Sequence, residues 1–395
     1  MPPTTQRSAR VDAAFDLLVV GAGVGGLSVA LAAARRWPRW RIGLLERQRA
    51  AGLETSSRNS GVLHAGLHGP PGSLKRRLCI EGRGRLVHFC RRHGVAHAVT
   101  GKLVVAHDAE ELTALERLAA EAERAGAGPL QWWDAPRVRR EDPSLRAIAA
   151  LHVARSGLVD PHGMVQALLA ELRRAEVLRG FAHRVRRIEE ATGGGLRLAV
   201  ETEQGERLRL AADRVVGCAG LSADELARAA GLRPERIGLA QRLIAGRWFR
   251  VEGRGTLPMV PLVYPLPPRN GLGLGLHLTR GLDGRWLLGP DAQPLERCGE
   301  AAIARGYAVA DSLRPRFEAG LRRLLHRIDG LELHPEGAGI RPRRATPPGH
   351  FSDFSVAGPE IHGLAGYLHL SGIESPGLTA CLALGEHVAE RLRVL

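Results

Sequence analysis

The chain has 395 residues, of which 44% are hydrophobic and 25% charged, and its formal net charge is +15. This length and composition are those of a globular protein of about two domains. No apolar run reaches the ~18 residues that a hydrophobic membrane-spanning helix needs. The positive charge is almost all arginine and is spread along the chain, so we expect a solvated basic surface, at most peripheral membrane association, and no nucleic-acid partner.

Five widely separated cysteines form no CxxC pair, which argues against a zinc site and a disulfide framework and fits a reducing compartment. His93 and His97 lie four residues apart, but no acidic helix motif accompanies them, so we predict no metal site. The opening stretch MPPTTQRSARVDAA has no apolar core of signal-peptide length. We therefore predict a cytoplasmic protein with a disordered tail over residues 1–13.

The first predicted elements form a βαβ unit. The apolar run FDLLVV (residues 15–20) ends at glycines, which is typical of a buried parallel strand. A helix should follow as far as about Arg36, and RIGLLE (residues 41–46) indicates the second strand.

This unit carries the pattern G-x-G-x-x-G at Gly21, Gly23 and Gly26, and Glu46 follows at the end of the second strand. Gly21 would permit the tight turn, and Gly23 would let backbone N–H groups approach a pyrophosphate. Gly26 would allow the helix to pack closely on the strand. Because Glu46 could accept hydrogen bonds from an adenosine ribose, the whole constellation predicts dinucleotide binding.

The rest of the chain predicts elements of both kinds. Residues 52–75 form a long turn-rich, hydroxyl-rich segment, and loops of that length are usually functional. Hydrophobic periodicity and turn signals then predict a helix over 81–93, a strand over 101–106, a surface helix over 109–126, a turn leading into a helix over 156–174, and a strand that reaches Gly220 before another helix. Between residues 236 and 335, strand-like pieces broken by Pro and Gly predict an antiparallel sheet layer.

Several stretches, in the same order along residues 15–390, resemble the FAD-dependent oxidoreductases of the D-amino-acid-oxidase superfamily. Within it, they are most similar to the L-2-hydroxyglutarate dehydrogenase/oxidase group. The stretches that carry this resemblance are ETSSRNSGVLHAG, PPGSLKRRLC, GKLVVA, SGLVD, VVGCAGLSAD, YPLP, GLGLGLHLT, GRWLLGP, AGIRPR and GIESPGLTACLALGEHVAE.

The resemblance implies that the cofactor is FAD and that the fold is α/β. A Rossmann-like FAD-binding domain of the glutathione-reductase type would be interleaved with an α+β substrate domain built on an antiparallel sheet. The FAD-binding domain would comprise residues 14–95, 151–235 and 336–395. The substrate-binding domain would comprise residues 96–150 and 236–335.

The resemblance also implies a set of cofactor-binding residues beyond the glycines and Glu46. The loop after Glu46 would follow the pyrophosphate towards the isoalloxazine, with contacts from Arg47, Thr55, Ser56, Ser57, Asn59 and Ser60. Val185 and Gly220 would lie near the nucleotide.

The C-terminal turn and helix start would sit beside the flavin pyrimidine ring, through Gly372, Ile373, Glu374, Ser375, Gly377, Leu378 and Thr379. Backbone N–H groups and the positive end of the helix could stabilise negative charge there. The two ends of the chain would then face one ligand. The alternative is an ordinary capped helix in which Ser375 precedes a proline at the first helical position.

Oxidation of a 2-hydroxy acid needs a cation for the carboxylate and a base for the hydroxyl proton. Arg341, in AGIRPR, matches a motif of the superfamily whose arginine binds the substrate carboxylate, and a guanidinium suits that group. Imidazole is the natural base near neutral pH. His64 and His277 are the candidates for substrate contact, with His369 as a third, and neither of the first two has the stronger claim.

A dicarboxylate substrate would need a second cationic contact, for which Lys75, Lys102 and Arg58 are equal candidates. The family usually carries a pair of tyrosines where His68 and Gly69 stand. The pocket should therefore be wider or more polar than in the family, which weakens the case for 2-hydroxyglutarate itself.

Other functions stay open beside oxidation of a small carboxylate substrate. The same carboxylate-binding arrangement would serve an amine or amino acid oxidase. A flavoprotein acting on transfer RNA would need stacking aromatics, which are only 4% of the chain. A non-catalytic flavin-binding module is a further alternative, and the electron acceptor could be oxygen, a quinone or an electron-transfer protein.

Overall fold

A computed structural model describes residues 11–267, 273–296, 299–347 and 350–395. The strands in these ranges are β1 (Ala13–Val20), β2 (Ile42–Glu46), β3 (Val62–Leu63), β4 (His97–Ala98), β5 (Leu103–Ala106), β6 (Leu130–Asp134), β7 (Ala149–Val153), β8 (Gly157–Val159), β9 (Leu178–Phe181), β10 (His183–Glu190), β11 (Leu196–Thr202), β12 (Arg207–Gly217), β13 (Gln241–Gly253), β14 (Leu262–Pro265), β15 (Leu278–Arg280), β16 (Trp286–Leu288), β17 (Gln293–Pro294), β18 (Leu331–Arg344), β19 (Ser355–Ala357) and β20 (Tyr367–Ser371). The helices are α1 (Val24–Arg36), α2 (Leu74–His93), α3 (Ala109–Arg124), α4 (Ala135–Glu141), α5 (Pro161–Arg174), α6 (Ala223–Ala229), α7 (Glu300–Gly306), α8 (Arg314–Leu324), α9 (Pro359–His362) and α10 (Gly377–Leu392).

The first large sheet contains the predicted βαβ unit. Its strands run in the order β10-β11-β12-β1-β2-β9, with β20 beside β12 and β19 beside β20. β1 pairs in parallel with both β2 and β12. Residues 17–20 of β1 are buried, as expected for a parallel strand that is covered on both faces. Helices α1, α2, α5 and α10 share one hydrophobic core with this sheet.

The two ends of the chain meet in this core, where α1 packs against α10. A Cβ added at Gly385 of α10 would lie only 2.4 Å from the backbone oxygen of Ser28 in α1. A Cβ at Gly82 of α2 would similarly lie 2.5 Å from the oxygen of Thr379. The glycines thus let three helices approach closely, and they fix where the N-terminus of α10 lies.

The second large sheet runs in the order β17-β13-β16-β15-β14-β5-β7-β6, with β18 also paired to β13. β13 and β18 form its longest ladder, which is antiparallel from Gln241 opposite Arg344 to Gly253 opposite Leu331. All pairs in this sheet are antiparallel except β14 with β5. A second core, separate from the first, lies between this sheet and α8.

The predicted fold class is confirmed: a sheet with a parallel centre is interleaved in sequence with an antiparallel one. The proposed domain boundaries need adjustment at two strands. β7 and β18 belong to the second sheet, although residues 151–153 and 336–344 were assigned to the FAD-binding domain. With that adjustment, the division into two domains remains our proposal.

Three local predictions were wrong. Strand β1 begins at Ala13, and the Asp12 carboxylate accepts a hydrogen bond from the Arg209 N–H at 2.7 Å, so residues 11–13 are not a tail. The remainder of that predicted tail, 1–10, lies outside the described residues. Helix α2 begins at Leu74 and not near residue 81, and α7 and α8 interrupt a region predicted as strands. None of the helices in the described ranges is long and apolar enough to cross a membrane.

Candidate active site

A cavity of about 1170 Å³ lies between the two large sheets, lined by residues of both and by the start of α10. A narrower arm extends from it along the first sheet towards Glu46 and Val185. Both parts share Gly23, Thr55, Ser56, Cys218 and Gly220, so they form one continuous cleft. Since pockets for small ligands usually measure about 300–1,000 Å³, the cleft has room for a large cofactor and a small substrate together.

The glycine turn brings backbone to one end of this cleft. A Cβ at Gly21 would lie 2.3 Å from the oxygen of Cys218, and a Cβ at Gly26 would lie 1.9 Å from the oxygen of Gly21. Gly26 therefore serves the packing of α1 on β1 and does not line the cavity. Gly23 does line the cavity and immediately precedes α1, whose N-terminus has no side-chain cap of its own.

Glu46 lies at the end of β2 and in the narrower arm. Its Oε2 accepts a hydrogen bond from the Ala22 N–H at 2.7 Å, and its Oε1 accepts one from the Gln48 N–H at 2.8 Å. Burial raises the pKa of Glu46 from its usual 4.5, and these two backbone hydrogen bonds oppose that rise. Arg47, next to it, pairs with Glu54 and also with Glu300, 3.3 Å away.

The loop between β2 and β3 is held mainly by its own side chains. The Ser56 hydroxyl accepts a hydrogen bond from the Val24 N–H at 3.0 Å, and the Thr55 hydroxyl donates to the Ile340 oxygen of β18 at 2.9 Å. The Asn59 amide donates to the Thr55 and Ser56 oxygens at 3.1 and 2.8 Å. Among the predicted loop contacts, Thr55, Ser56, Asn59 and Ser60 line the cavity, whereas the Ser57 hydroxyl points back to the Gly52 oxygen.

The C-terminal turn lines the opposite side of the cavity through Gly372, Ile373, Glu374, Ser375, Gly377 and Leu378. Helix α10 begins at Gly377 and its N-cap residue is Pro376, without a side-chain cap. The proline is therefore at the N-cap and not at the first helical position, whereas the role of this helix start beside the cofactor stays a prediction. Thr379 lies behind the cavity wall and ties the helix to β3, because its hydroxyl accepts from the His64 N–H and donates to the Val62 oxygen.

Arg341 projects from β18 into the main cavity. Its Nη2 donates to the backbone oxygen of Asp291 at 3.0 Å. Burial lowers the pKa of Arg341 from its usual 12.5, and the nearby Glu374 and Asp291 carboxylates oppose that shift. A guanidinium starting from so high a pKa stays charged at neutral pH, so this wall of the cavity is positive.

His277 lies on the wall formed by the second sheet, stacked on Tyr264 with ring centroids 3.8 Å apart. Its Nδ1 is 3.2 Å from the Gly275 oxygen, which can only accept a hydrogen bond. Nδ1 therefore carries the proton, and Nε2 presents a lone pair. Nε2 is buried and has no hydrogen-bond partner among the described residues. The pKa of His277 is lowered to about 3, mainly by burial; the hydrogen bond to Gly275 opposes this shift, and the charges of Arg341 and Lys102 contribute to it.

His64 faces the cavity beside the C-terminal turn, with its Nε2 3.3 Å from the Ser375 hydroxyl. Its neighbour His68 also lines the cavity. Burial lowers the pKa of both imidazoles, to about 3 for His68, and the Lys102 ammonium is the next cause for each. His64, His68 and His277 are thus neutral at pH 7. His369 differs in place: it lies buried in β20, where its Nδ1 meets the Tyr367 hydroxyl at 2.9 Å, and it does not line the cavity.

The three candidate second cations differ in their surroundings. Lys75 forms a buried ion pair with Glu374 at 2.9 Å. Arg58 is exposed and stacks over the Tyr307 ring at 4.3 Å. Lys102 is completely buried, 4.7 Å from the centre of the Tyr264 ring. The sequence did not reveal that Tyr264 links His277 to Lys102, because the three residues come from separate segments with no shared motif.

A dinucleotide such as the predicted FAD fits this cleft. Apart from the Val24 N–H, which donates to Ser56, the N-terminus of α1 can offer backbone N–H groups to a pyrophosphate, and Gly23 leaves the space that a side chain would fill. Glu46 uses one acceptor site on each oxygen, and an ionised carboxylate has about four, so it can still accept ribose hydroxyls. The continuous cleft then leads from Glu46 to the start of α10.

Comparisons with known proteins agree with this arrangement. Residues 16–391 match the DAO family, described as FAD dependent oxidoreductase. The chain is 31% identical to the mitochondrial L-2-hydroxyglutarate dehydrogenase of Arabidopsis thaliana, over 95% of this chain and 83% of that protein. It is 28% identical to the L-2-hydroxyglutarate dehydrogenase of Escherichia coli (strain K12), over 96% and 94%.

Two solved structures share the fold. The L-α-glycerophosphate oxidase of Mycoplasma pneumoniae superimposes with a TM-score of 0.82 at 21% identity, covering 96% of this chain and 95% of that one. The glycine oxidase of Geobacillus kaustophilus superimposes with a TM-score of 0.74 at 21% identity, with the same coverage.

Proposed function

We propose that this chain, which belongs to the DAO family of FAD-dependent oxidoreductases, oxidises a 2-hydroxy dicarboxylate to the 2-oxo acid. L-2-hydroxyglutarate is the substrate we expect, because the curated relatives are named as dehydrogenases of that compound. The structural observation that supports the proposal is that Arg341 and the neutral imidazoles of His64 and His277 line one cavity, which continues into the cofactor arm of the cleft.

Arg341 would bind the carboxylate next to the reacting carbon. A guanidinium presents two parallel N–H groups to a carboxylate, and each charge-assisted hydrogen bond contributes about 1.5–3 kcal/mol. Because β18 is held along β13 by a long antiparallel ladder, the guanidinium is fixed before the substrate arrives. The substrate would therefore be oriented by a rigid strand and not by a loop.

The reaction removes a hydride from the substrate C2 and a proton from its hydroxyl. FAD, when bound, supplies the acceptor for the hydride, and an acceptor such as oxygen, a quinone or an electron-transfer protein must later take the electrons away. The hydroxyl proton would pass to an imidazole of this chain. His277 offers an unpartnered Nε2 lone pair, while the Nε2 of His64 is close to the Ser375 hydroxyl.

The low pKa values of these imidazoles apply to the cavity without substrate. A bound carboxylate brings negative charge close to the ring, and opposite charge favours the protonated form. The pKa of the base should therefore rise when the substrate enters, so the same group is neutral before binding and able to take a proton afterwards.

An amino acid could be held by the same arginine, so the related amine oxidation is the alternative. The names of the curated relatives favour a CH–OH substrate. The cytoplasmic location expected from the sequence stays a prediction, since the plant relative is named as mitochondrial.

The proposal is tested by supplying the purified holoenzyme with an artificial electron acceptor and a panel of L- and D-2-hydroxy acids and amino acids. We expect L-2-hydroxyglutarate to give the highest kcat/KM and 2-oxoglutarate to accumulate in equal amount to the acceptor reduced. Highest activity with an amino acid, accompanied by ammonia release, would replace the proposal with amine oxidation.

A further inference from the structure

Lys102 is a buried cation that has no counter-charge within the described ranges of the chain. It immediately precedes β5, is 0% exposed, and pairs through its backbone with Val153. Its Nζ has no hydrogen-bond partner among the described residues. The Nζ makes a cation–π contact with the face of Tyr264, whose ring centre is 4.7 Å away.

Lys102 does not line the cavity itself but lies behind side chains that do. Tyr264 and Cys79 both line the cavity, and so do the three histidines whose pKa values the Lys102 ammonium lowers. None of these wall residues supplies a negative charge at pH 7. Burial raises the pKa of the Cys79 thiol to about 12 and also raises that of the Tyr264 phenol, and the imidazoles are neutral.

Other cations around the cavity differ from Lys102 in their surroundings. Arg242, Arg343 and Arg344 line the cavity directly, but they are exposed or only half-buried. The Lys75 ammonium is matched by the Glu374 carboxylate, and Arg247 is matched by Asp291 at 2.5 Å. Arg58 is exposed, so solvent screens its charge. Lys102 differs from these cations because it is completely buried and its Nζ has no hydrogen-bond partner in the described part of the chain.

An unpaired ammonium inside a protein is unfavourable for folding. Burial lowers the pKa of Lys102 to about 8, which still leaves most of the population charged at pH 7. An anion that enters the cavity would stabilise the charged form of Lys102, because the attraction between opposite charges is strong where water is excluded.

We propose that Lys102 gives the cavity a second positive charge and thereby selects substrates that carry two carboxylates over those that carry one. This inference rests on the proposed function and deepens it: Arg341 binds the carboxylate next to the reacting carbon, and Lys102 attracts the distal one through the wall formed by Tyr264 and His277. Lys102 is a positioning and specificity residue and not a catalytic one, because it does not line the cavity.

The test compares L-2-hydroxyglutarate with L-2-hydroxypentanoate, which has a methyl group in place of the distal carboxylate, in wild-type enzyme and in Lys102→Met. We expect the ratio of their kcat/KM values to fall at least tenfold in the variant, equivalent to about 1.4 kcal/mol. The value for the monocarboxylate itself should change by less than about threefold, an allowance for the context dependence of single charges.

Arg91→Met is the matched control, because Arg91 is exposed on α2 and its loss changes the net charge by the same amount. The control should keep the wild-type ratio. An unchanged ratio in Lys102→Met would overturn the inference, and so would an equal loss for both substrates, which indicates a purely structural role. If Lys102→Met does not fold, Lys102→Gln replaces it, since it also removes the charge.

Binding of non-reacting acids separates this inference from the proposed function. Glutarate and pentanoate are titrated into the holoenzyme and followed by the flavin absorbance. The preference for glutarate should weaken at least tenfold in Lys102→Met even if the enzyme oxidises neither 2-hydroxy acid. Equal preference in both proteins would reject the role of Lys102 whatever the reaction is.

Discussion

The cofactor part and the substrate part of the cleft are formed by different chemical groups. The cofactor part is lined by backbone at close approach, as at Gly21, with Gly26 packed behind it and one carboxylate, Glu46. The substrate part consists of side chains from separate strands, such as Arg341 and His277, with Lys102 behind them. The packing of the cofactor part leaves no room for added side-chain volume, and this part depends little on charge. The substrate part depends on buried charges, such as that of Lys102, whose burial destabilises the folded protein.

The largest effect should come from adding one methyl group to the backbone part. In Gly26→Ala, the new Cβ would lie 1.9 Å from the Gly21 oxygen, so α1 must move away from β1. We expect a loss of stability of about 3 kcal/mol or more and a protein that no longer retains FAD, measured by bound flavin per chain and by thermal unfolding.

Gly84→Ala is the control for this variant. A Cβ at Gly84 would meet nothing within 4 Å, and alanine favours a helix, so this change in α2 should be neutral or slightly stabilising. A yellow Gly26→Ala protein with unchanged thermal stability would contradict the packing role of the glycine.

In the substrate part, removal of the arginine should affect catalysis without affecting the fold. Arg341→Met should lower kcat/KM for any 2-hydroxy acid by a hundredfold or more, because the charge-assisted hydrogen bonds of a guanidinium are worth about 1.5–3 kcal/mol each. Arg341→Lys keeps the charge but not the planar fork, and we expect an intermediate value. Steady-state kinetics at a fixed flavin content measures this effect. A wild-type kcat/KM in Arg341→Met would show that Arg341 does not bind the substrate carboxylate.

The same part of the molecule should gain stability when its buried charge is removed. Burial lowers the pKa of Lys102 from 10.5 to about 8 in the folded protein, so the unfolded chain binds the proton more tightly. The destabilisation is complete below pH 8 and disappears as the pH rises towards 10.5. Lys102→Met should therefore raise the free energy of unfolding at pH 7 by about 3 kcal/mol.

This gain should shrink between pH 8 and pH 10, as measured by chemical denaturation of the substrate-free holoenzyme. A variant that is destabilised by the same amount at both pH values would show that the Lys102 stem, and not its charge, matters for folding.

The smallest effect should come from Glu46→Gln. An amide can accept through one oxygen only, so either the Ala22 or the Gln48 N–H loses its acceptor, at about 1 kcal/mol. The Kd for FAD should rise by about fivefold in a flavin titration of the apoprotein. An unchanged Kd would show that Glu46 does not contribute to cofactor binding.

The sequence predicted the backbone part well because its signals are local. The glycines, α1 and Glu46 fall within one βαβ unit, where spacing alone dictates close packing and strand order. The early start of α2 was missed for a physical reason. Arg76 and Arg83 are buried on this helix and donate to loop carbonyls, including those of Gly66 and Ala65, and a search for apolar periodicity does not recognise a buried arginine.

Helix α8 was a different kind of error, since its signal was present. Phe317, Leu321 and Leu324 are buried at helical spacing, but the surrounding strand-like pieces outweighed them. The charge pattern of the substrate part could not be predicted at all. Lys75 is paired with a carboxylate 299 residues away, whereas Lys102 has no hydrogen-bond partner among the residues that the structure describes, so the two lysines are distinguishable only in the folded chain.

Mixing the holoenzyme with L-2-hydroxyglutarate in the absence of oxygen and of any other acceptor tests the central claim most directly. The account predicts that the flavin absorbance bleaches in a single turnover, with one 2-oxoglutarate formed per flavin, and that D-2-hydroxyglutarate leaves it unchanged. Flavin that stays oxidised with every 2-hydroxy dicarboxylate, or that is bleached faster by an amino acid, would contradict it.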